Sequence, residues 1–278
     1  MDLPHPAKTS DAQQFFDILL SREFPEQSAR DWIEVHQISS IKLAIAYAFV
    51  VFSLKYFMRT RKPLNLDFLL SSWNLLLSVF SIIGTINLAP EFFSTIAAKG
   101  FQASYCRSLE FTKGRVGYWV WLFIVSKTFE LFDTVFVVLR KKPLLFLHWY
   151  HHILTLIYAF YSYPSAPGFN RWGIFLNFTV HSFMYSYYLL RSLKLRIPGS
   201  FARFVTTLQI VQFVISVAIL IHLGVLIHIQ NVNCDFSGGV YMLAVFMDVT
   251  YLILFVNFFL KSYIVEGGKR KYSNKKMN

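Results

Sequence analysis

The sequence predicts an all-α membrane protein with seven transmembrane helices, its N-terminus lumenal and its C-terminus cytosolic. Two features of composition and one of pattern predict it. Of the 278 residues, 55% are hydrophobic, and thirty phenylalanines are too many for one aqueous core to hide. Only 15% are charged, against roughly 25% in soluble domains. Apolar stretches of about 20 residues, long enough to cross the hydrocarbon as helices, recur near residues 38–58, 66–88, 116–139, 143–163, 170–190, 204–229 and 239–261.

Residues 1–37 form a mixed, polar lumenal segment, in which 9–36 reads as a short interfacial helix. No signal peptide opens it, so the first span is expected to be its own insertion signal. Orientation follows from the connections, because basic residues accumulate on the cytosolic side. Lys55, Arg59, Arg61 and Lys62 follow span one. Arg140, Lys141 and Lys142 follow span three, and Arg191, Lys194, Arg196 and Arg203 follow span five. The alternate loops are poorer, apart from Lys99, Arg107, Lys113 and Arg115 before span three. With no linker or internal repeat, residues 38–262 read as one seven-helix domain, ahead of a basic cytosolic tail at 263–278. The net charge of +12 resides in these loops and this tail, a distribution that argues for membrane topology and against nucleic-acid binding.

Two corollaries follow. Cys106 and Cys234 both fall on the lumenal side, where an oxidising compartment favours a disulfide tying their loops together. The tail carries Lys269, Arg270 and Lys271 and ends Lys275-Lys276-Met277-Asn278, a dilysine pattern that points to retrieval to the endoplasmic reticulum membrane. The sequon at Asn177 lies inside span five and is expected to stay unglycosylated.

Span four opens with His148-Trp149-Tyr150-His151-His152. Positions i, i+3 and i+4 share one helix face, so His148, His151 and His152 form one imidazole cluster. Counted from the cytosolic basic residues, other polar groups lie at the same depth: Glu130 and Asp133 on span three, His181 on span five, Gln209 and Gln212 on span six. At 1.5 Å per residue all are roughly 10–15 Å from the cytosolic edge. Span three also carries Lys127. Each such charge costs roughly 2.5–3.5 kcal/mol at the centre of a lipid-facing helix, so the three must face inward and pair. They are read as orienting the imidazoles and setting their protonation, with a structural ion-pair cluster as the competing account. Asn177, His181, Met184 and Tyr188 form one stripe on span five, with Tyr185 beside it. His5, His36, His222 and His228 are given no role.

Three function classes remain open at this point. One box plus His181 supplies too few ligands for the di-iron centre of membrane desaturases and hydroxylases, which leaves a mononuclear, histidine-ligated lipid oxidoreductase as the alternative. A seven-helix receptor or transporter fits the helix count, but a cytosolic-half histidine cluster suits a sensor opening outward poorly. Acid–base and nucleophilic work by imidazole fits best, since the layer holds no cysteine.

The chain resembles the fatty acid elongases of the endoplasmic reticulum. The resemblance rests on Lys127-x-x-Glu130-x-x-Asp133-Thr134, on Phe146-Leu147-His148-x-x-His151-His152, on Asn177-x-x-x-His181-x-x-Met184-Tyr185-x-Tyr187-Tyr188, and on Thr206-x-x-Gln209-x-x-Gln212. Pro143 departs from the glutamine many members carry five residues before the box. Trp149 and Tyr150 inside the box look like the branch typified by mammalian elongase 6, which prefers saturated and monounsaturated chains.

The resemblance implies a barrel of six helices around an acyl-chain tunnel, with the seventh alongside. It implies condensation of acyl-CoA with malonyl-CoA to 3-ketoacyl-CoA, carbon dioxide and CoA, with no metal or other cofactor beyond the two CoA substrates. His148, His151, His152 and His181 are then the catalytic set, His151 the nucleophile. Lys127, Glu130, Asp133, Asn177, Tyr185, Tyr188, Gln209 and Gln212 orient them or the substrate. Arg140, Lys141, Arg191, Lys194, Arg196 and Arg203 are candidates for the CoA phosphates. The resemblance also implies association with further copies and with other enzymes of the elongation cycle.

Overall fold

The computed structural model describes residues 10–265, and every regular element among them is helical. Two short helices, α1 (Asp11–Leu19) and α2 (Glu26–Val35), precede α3 (Gln37–Phe57). Then come α4 (Asp67–Lys99), the single turn α5 (Ala103–Cys106), α6 (Gly114–Phe129), α7 (Phe132–Leu139) and α8 (Phe146–Ser162). Three long helices complete the chain: α9 (Asn170–Ser192), α10 (Gly199–His228) and α11 (Gly238–Phe259). The last of these runs on into a π-helical turn, Leu260–Val265.

By length and apolarity four helices are fit to cross a membrane: α3 with its following turn, α4, α10, and α11 with its π turn. The intervening segments fall short for a physical reason. The α6 and α8 helices have 16 and 17 residues, and α9 gives inward positions to Asn170, Arg171, Asn177 and His181. Their polar groups serve the interior, so composition marks them less strongly.

Helix limits differ from the sequence expectation at several points. The expected span 116–139 is two helices, because the chain tightens at Glu130, where Asp133 N–H bonds Glu130 C=O at 3.1 Å. The expected span 66–88 continues to Lys99 through Pro90, which deletes one donor without ending the helix. The α10 helix starts at Gly199, immediately after Pro198, and α8 starts three residues late, beyond Pro143. The interfacial segment is two helices rather than one. The dilysine pattern and the basic residues 269–271 lie outside the described residues.

Pairwise packing forms a circuit: α4 against α9, α9 against α10, α10 against α11, α11 against α8, α8 against α6, and α6 back against α4. The α3 helix stands outside it, packed on α7 and α8, and Tyr47 joins Thr134 at 2.6 Å. Small residues hold the tightest pair. Ser78 meets Ser186 at 2.7 Å and Ser71 donates to Ser192 at 2.9 Å, while a Cβ on Gly84 would collide with the Phe178 ring. Close approach with serine hydrogen bonds is how helices associate where lipid supplies no hydrophobic drive.

The two ends of the bundle differ. At one end lie the basic connections. Arg140 and Lys194 both reach Asp67, at 3.5 and 3.0 Å, and Lys141 donates to the carbonyls of Arg59 and Arg61. Lys141 and Lys194 end α7 and α9 at φ 53° and 64°, each with the paired backbone bonds of a Schellman turn. The other end carries the disulfide between Cys106 and Cys234. Beside it Arg171, fully buried, donates to Glu91 and to the carbonyls of Ser104, Arg107 and Ser108. One guanidinium thereby joins α4, α9 and the α5 loop.

Helices α1 and α2 pack on this end, with Ala29 and Ile33 fully buried and Phe15 against Trp121. Glu26 accepts from Thr112 at 2.6 Å and from Arg30 at 2.7 Å. Burial pushes the Glu26 carboxyl up, but these bonds and the charges of Arg30 and Lys113 outweigh it and hold the group below the usual glutamate range.

Two predictions follow. Arg171→Ala strands Glu91 and removes the bonds to three carbonyls, of which that of Ser104 is buried. It should cost about 3–5 kcal/mol, read as a lowered melting temperature in detergent; an unchanged melt would refute the junction. The stability Glu26 adds is complete above the usual glutamate range and is lost as pH falls through its lowered folded value. Hydrogen exchange in α2 should therefore accelerate in acid, and Glu26→Gln should flatten that dependence; an acid-insensitive wild type would contradict it.

Candidate functional site

The box sits on the first turns of α8, where its i, i+3, i+4 spacing brings the rings together edge to face. His148 and His152 are 4.7 Å apart by ring centroid, and His151 and His152 are 5.6 Å apart. Facing them, α9 presents Asn177, His181, Met184, Tyr185 and Tyr188, and α10 presents Gln209 and Gln212. All of these, with the four histidines and Asp133, line one cavity of about 390 Å³. His148 Nε2 is buried there and makes no hydrogen bond to any described residue. Gln209 donates to Met184 Sδ at 3.3 Å.

A second, narrower cavity of about 80 Å³ continues toward the disulfide end. His151, Asn177 and Gln212 border both. Past them the slot runs between α8, α9, α10 and α11, walled by such residues as Phe169, Ile219 and Leu220.

Behind His181 stands a buried charge network. Lys127 Nζ donates to Glu130 at 2.7 Å and to Asn177 Oδ1 at 3.1 Å, with both members of the ion pair 3% exposed. Ser126 also donates to Glu130, at 2.9 Å. Lysine has only donors, so it fixes the Asn177 oxygen on its own side and turns the amide nitrogen toward His181 Nε2, at 3.3 Å. An amide nitrogen can only donate, so His181 Nε2 accepts and the proton of the neutral ring sits on Nδ1. That atom faces Glu130 Oε2 at 3.9 Å. Lys127 and Glu130 line neither cavity, so they act on the tautomer and orientation of His181 from one layer back.

Asp133 is held from two sides, accepting from Trp73 at 2.6 Å and from Tyr185 at 2.7 Å. The six basic candidates all lie at the basic end, but none lines the histidine cavity. Arg140, Lys141 and Lys194 bond protein groups as described, Arg191 and Arg196 are exposed, and Arg203 lies over the ring of Tyr263, which borders the cavity mouth. Trp149 and Tyr150 point away from the histidines. The first packs on Phe52 of α3, and the second donates to Thr250 of α11 at 3.1 Å. Among the described residues no group of three or more His, Cys, Asp or Glu side chains is arranged to hold a metal ion.

Sequence reasoning missed Trp73, and it missed the contribution of α11. Tyr251 packs its ring 4.8 Å from His151 and donates to the His151 carbonyl at 2.9 Å. Its one proton being used, the contact with Thr155 at 2.9 Å has Thr155 as donor. Asp248 lines the slot as the one charged residue of α11. The signal for it was available, since an acid in an otherwise apolar helix is as costly as Lys127 on span three.

Residues 32–271 match the family model described as ELO: GNS1/SUR4 family. The chain is 60% identical over 251 residues to long chain fatty acid elongase 1 of Caenorhabditis elegans, covering 90% of this chain and 87% of that one. It is 39% identical to long chain fatty acid elongase 2 of the same organism, over 96% of this chain and 98% of that one. To very long chain fatty acid elongase 6 of Homo sapiens it is 35% identical, over 90% and 93%.

Lys127→Met alone leaves Glu130 charged, buried and unpaired, and should cost about 3–5 kcal/mol. Adding Glu130→Gln should recover much of that loss, because the double variant buries no stranded charge. Melting of the single and double variants decides it; additive losses would show that the two residues do not act as a pair.

Proposed function

The chain belongs to the ELO (GNS1/SUR4) family, and from that premise we propose that it is the condensing enzyme of fatty acid elongation. It is a multi-pass membrane protein of fatty acid elongation, acting on acyl-CoA substrates in a lipid membrane. The proposed reaction joins a long-chain acyl-CoA, saturated or monounsaturated, to malonyl-CoA and gives 3-ketoacyl-CoA, carbon dioxide and CoA. The observation that carries the reading is the place of His151, on the border between the polar cavity and the narrow slot. A thioester carbonyl at that border leaves its acyl tail in the slot and its CoA toward the basic end.

In the proposed chemistry, a nitrogen of His151 adds to the thioester carbonyl, the C–S bond breaks, and CoA leaves as a thiolate that takes up a proton. The acyl group is then held on imidazole. Malonyl-CoA loses carbon dioxide, its α-carbon attacks the acyl carbon, and the C–N bond breaks to restore His151. His148, whose Nε2 has no partner among the described residues, together with His152 and His181, moves protons and steadies the developing enolate. Gln209 and Gln212 offer amide donors to the same oxygen. An acyl-imidazole hydrolyses readily, so the buried cavity matters for keeping water away. No metal or cofactor enters the scheme.

The architecture that goes with this reading is seven transmembrane helices, six of them (α4, α6 continued by α7, α8, α9, α10 and α11) forming a barrel around the tunnel, with α3 outside. The disulfide end then faces the lumen of the endoplasmic reticulum and the basic end the cytosol, where Arg203 and the neighbouring cations meet CoA phosphates. Further copies of the chain and the other enzymes of the cycle are the partners this placement allows.

Intact mass of the protein incubated with acyl-CoA alone should show one acyl adduct, absent in His151→Ala. Malonyl-CoA should discharge it with release of carbon dioxide, undiminished in strong chelator. Turnover with no adduct at any time would replace the two-step path by direct attack in a ternary complex, and loss of turnover in chelator would point to a bound metal.

A further inference from the structure

We infer that the narrow slot is built to accept an acyl chain carrying a hydroxyl group partway along its tail, with the Asp248 carboxyl as the acceptor. This rests on reading the slot as the acyl channel. Asp248 is 8% exposed, lines the slot, and makes no hydrogen bond to any described residue. Three of the hydroxyl groups that line the slot with it are already committed. Tyr158 donates to Asn170 at 2.6 Å, Thr155 donates to Tyr251, and Tyr251 donates to the His151 carbonyl. None of these protons turns toward the carboxyl.

A buried polar group without a partner is costly, and at membrane depth an acid is retained for use. A hydrocarbon tail passing Asp248 excludes water and supplies no donor. A hydroxyl on that tail supplies the missing one. The depth also fits a mid-chain position. Asp248 precedes Tyr251, which touches His151, by one helical turn on α11, and Tyr158 lies seven residues beyond His151, roughly 10 Å along α8. A substituent there belongs neither to the reacting end nor to the terminus of a long chain.

The test uses the full-length chain in nanodiscs. Its substrates are a saturated acyl-CoA and isomers of equal length with one hydroxyl walked along the chain. Malonyl-dependent product is measured by mass spectrometry, and binding by the isomer-dependent shift in melting temperature. One mid-chain isomer should match or exceed the unsubstituted chain in kcat/KM, with isomers displaced by a few carbons lower by roughly tenfold, the worth of one hydrogen bond to a charged group. Asp248→Leu should reverse the order, losing the favoured isomer and gaining on the unsubstituted chain. Asp248→Asn, whose amide oxygen still accepts, should keep the preference. Equal rejection of every isomer by wild type and Asp248→Leu would overturn the inference and leave water as the partner of Asp248. Equal damage by Leu and Asn to all substrates would overturn it in favour of a packing role. Absence of elongation with any chain would sink the condensing-enzyme reading instead, while the melting shifts would still decide for or against an isomer-selective slot.

Discussion

The Lys127–Glu130 ion pair is the constraint around which the site is organised. Two charges, each 3% exposed, persist at membrane depth only if paired and hydrogen-bonded. Satisfying them dictates much else. The chain tightens at Glu130 so that Glu130 and Asp133 both turn inward, Ser126 closes one lone pair, and Asn177 is locked in a single orientation. That orientation selects the proton-bearing nitrogen of His181. Charges that never line the cavity thus set the state of a histidine that does.

The same economy of partners explains how α8 is fixed. Its histidine face opens on the cavity while its other faces are anchored: Trp149 against Phe52 on α3, Tyr150 to Thr250 and the His151 carbonyl to Tyr251 on α11. Helix α11 is therefore part of the site rather than a lipid-facing companion. Trp149 and Tyr150 inside the histidine box each pack on a neighbouring helix, and neither lines the cavity.

The two ends of the bundle solve opposite problems. At the disulfide end Arg171 converges with Glu91 and three carbonyls, and the disulfide and the α1–α2 pair close over it. That end is sealed. The basic end keeps its cations on Asp67, on loop carbonyls and on the Tyr263 ring, around a mouth that leads to the histidines. The narrow slot thus lies between a cross-linked end and a basic end.

The sequence by itself determined the helical, apolar character of the chain, the histidine spacing and the polar stripe on α9, because helical period and the penalty for polar groups in lipid act locally. It also placed both cysteines in loops that the fold joins. Tertiary structure alone decided the break after Phe129, the run of α4 past Pro90, and the partners of Asp133 and His151. Trp73 is 60 residues from Asp133 and Tyr251 is 100 from His151, and no local period encodes such pairings. The six basic candidates show the same limit: charge placed them at one end, but only packing decided that their side chains bond protein groups or stay exposed rather than line the cavity. Which polar residues meet depends on how whole helices face one another, and that is settled by summed packing across the bundle.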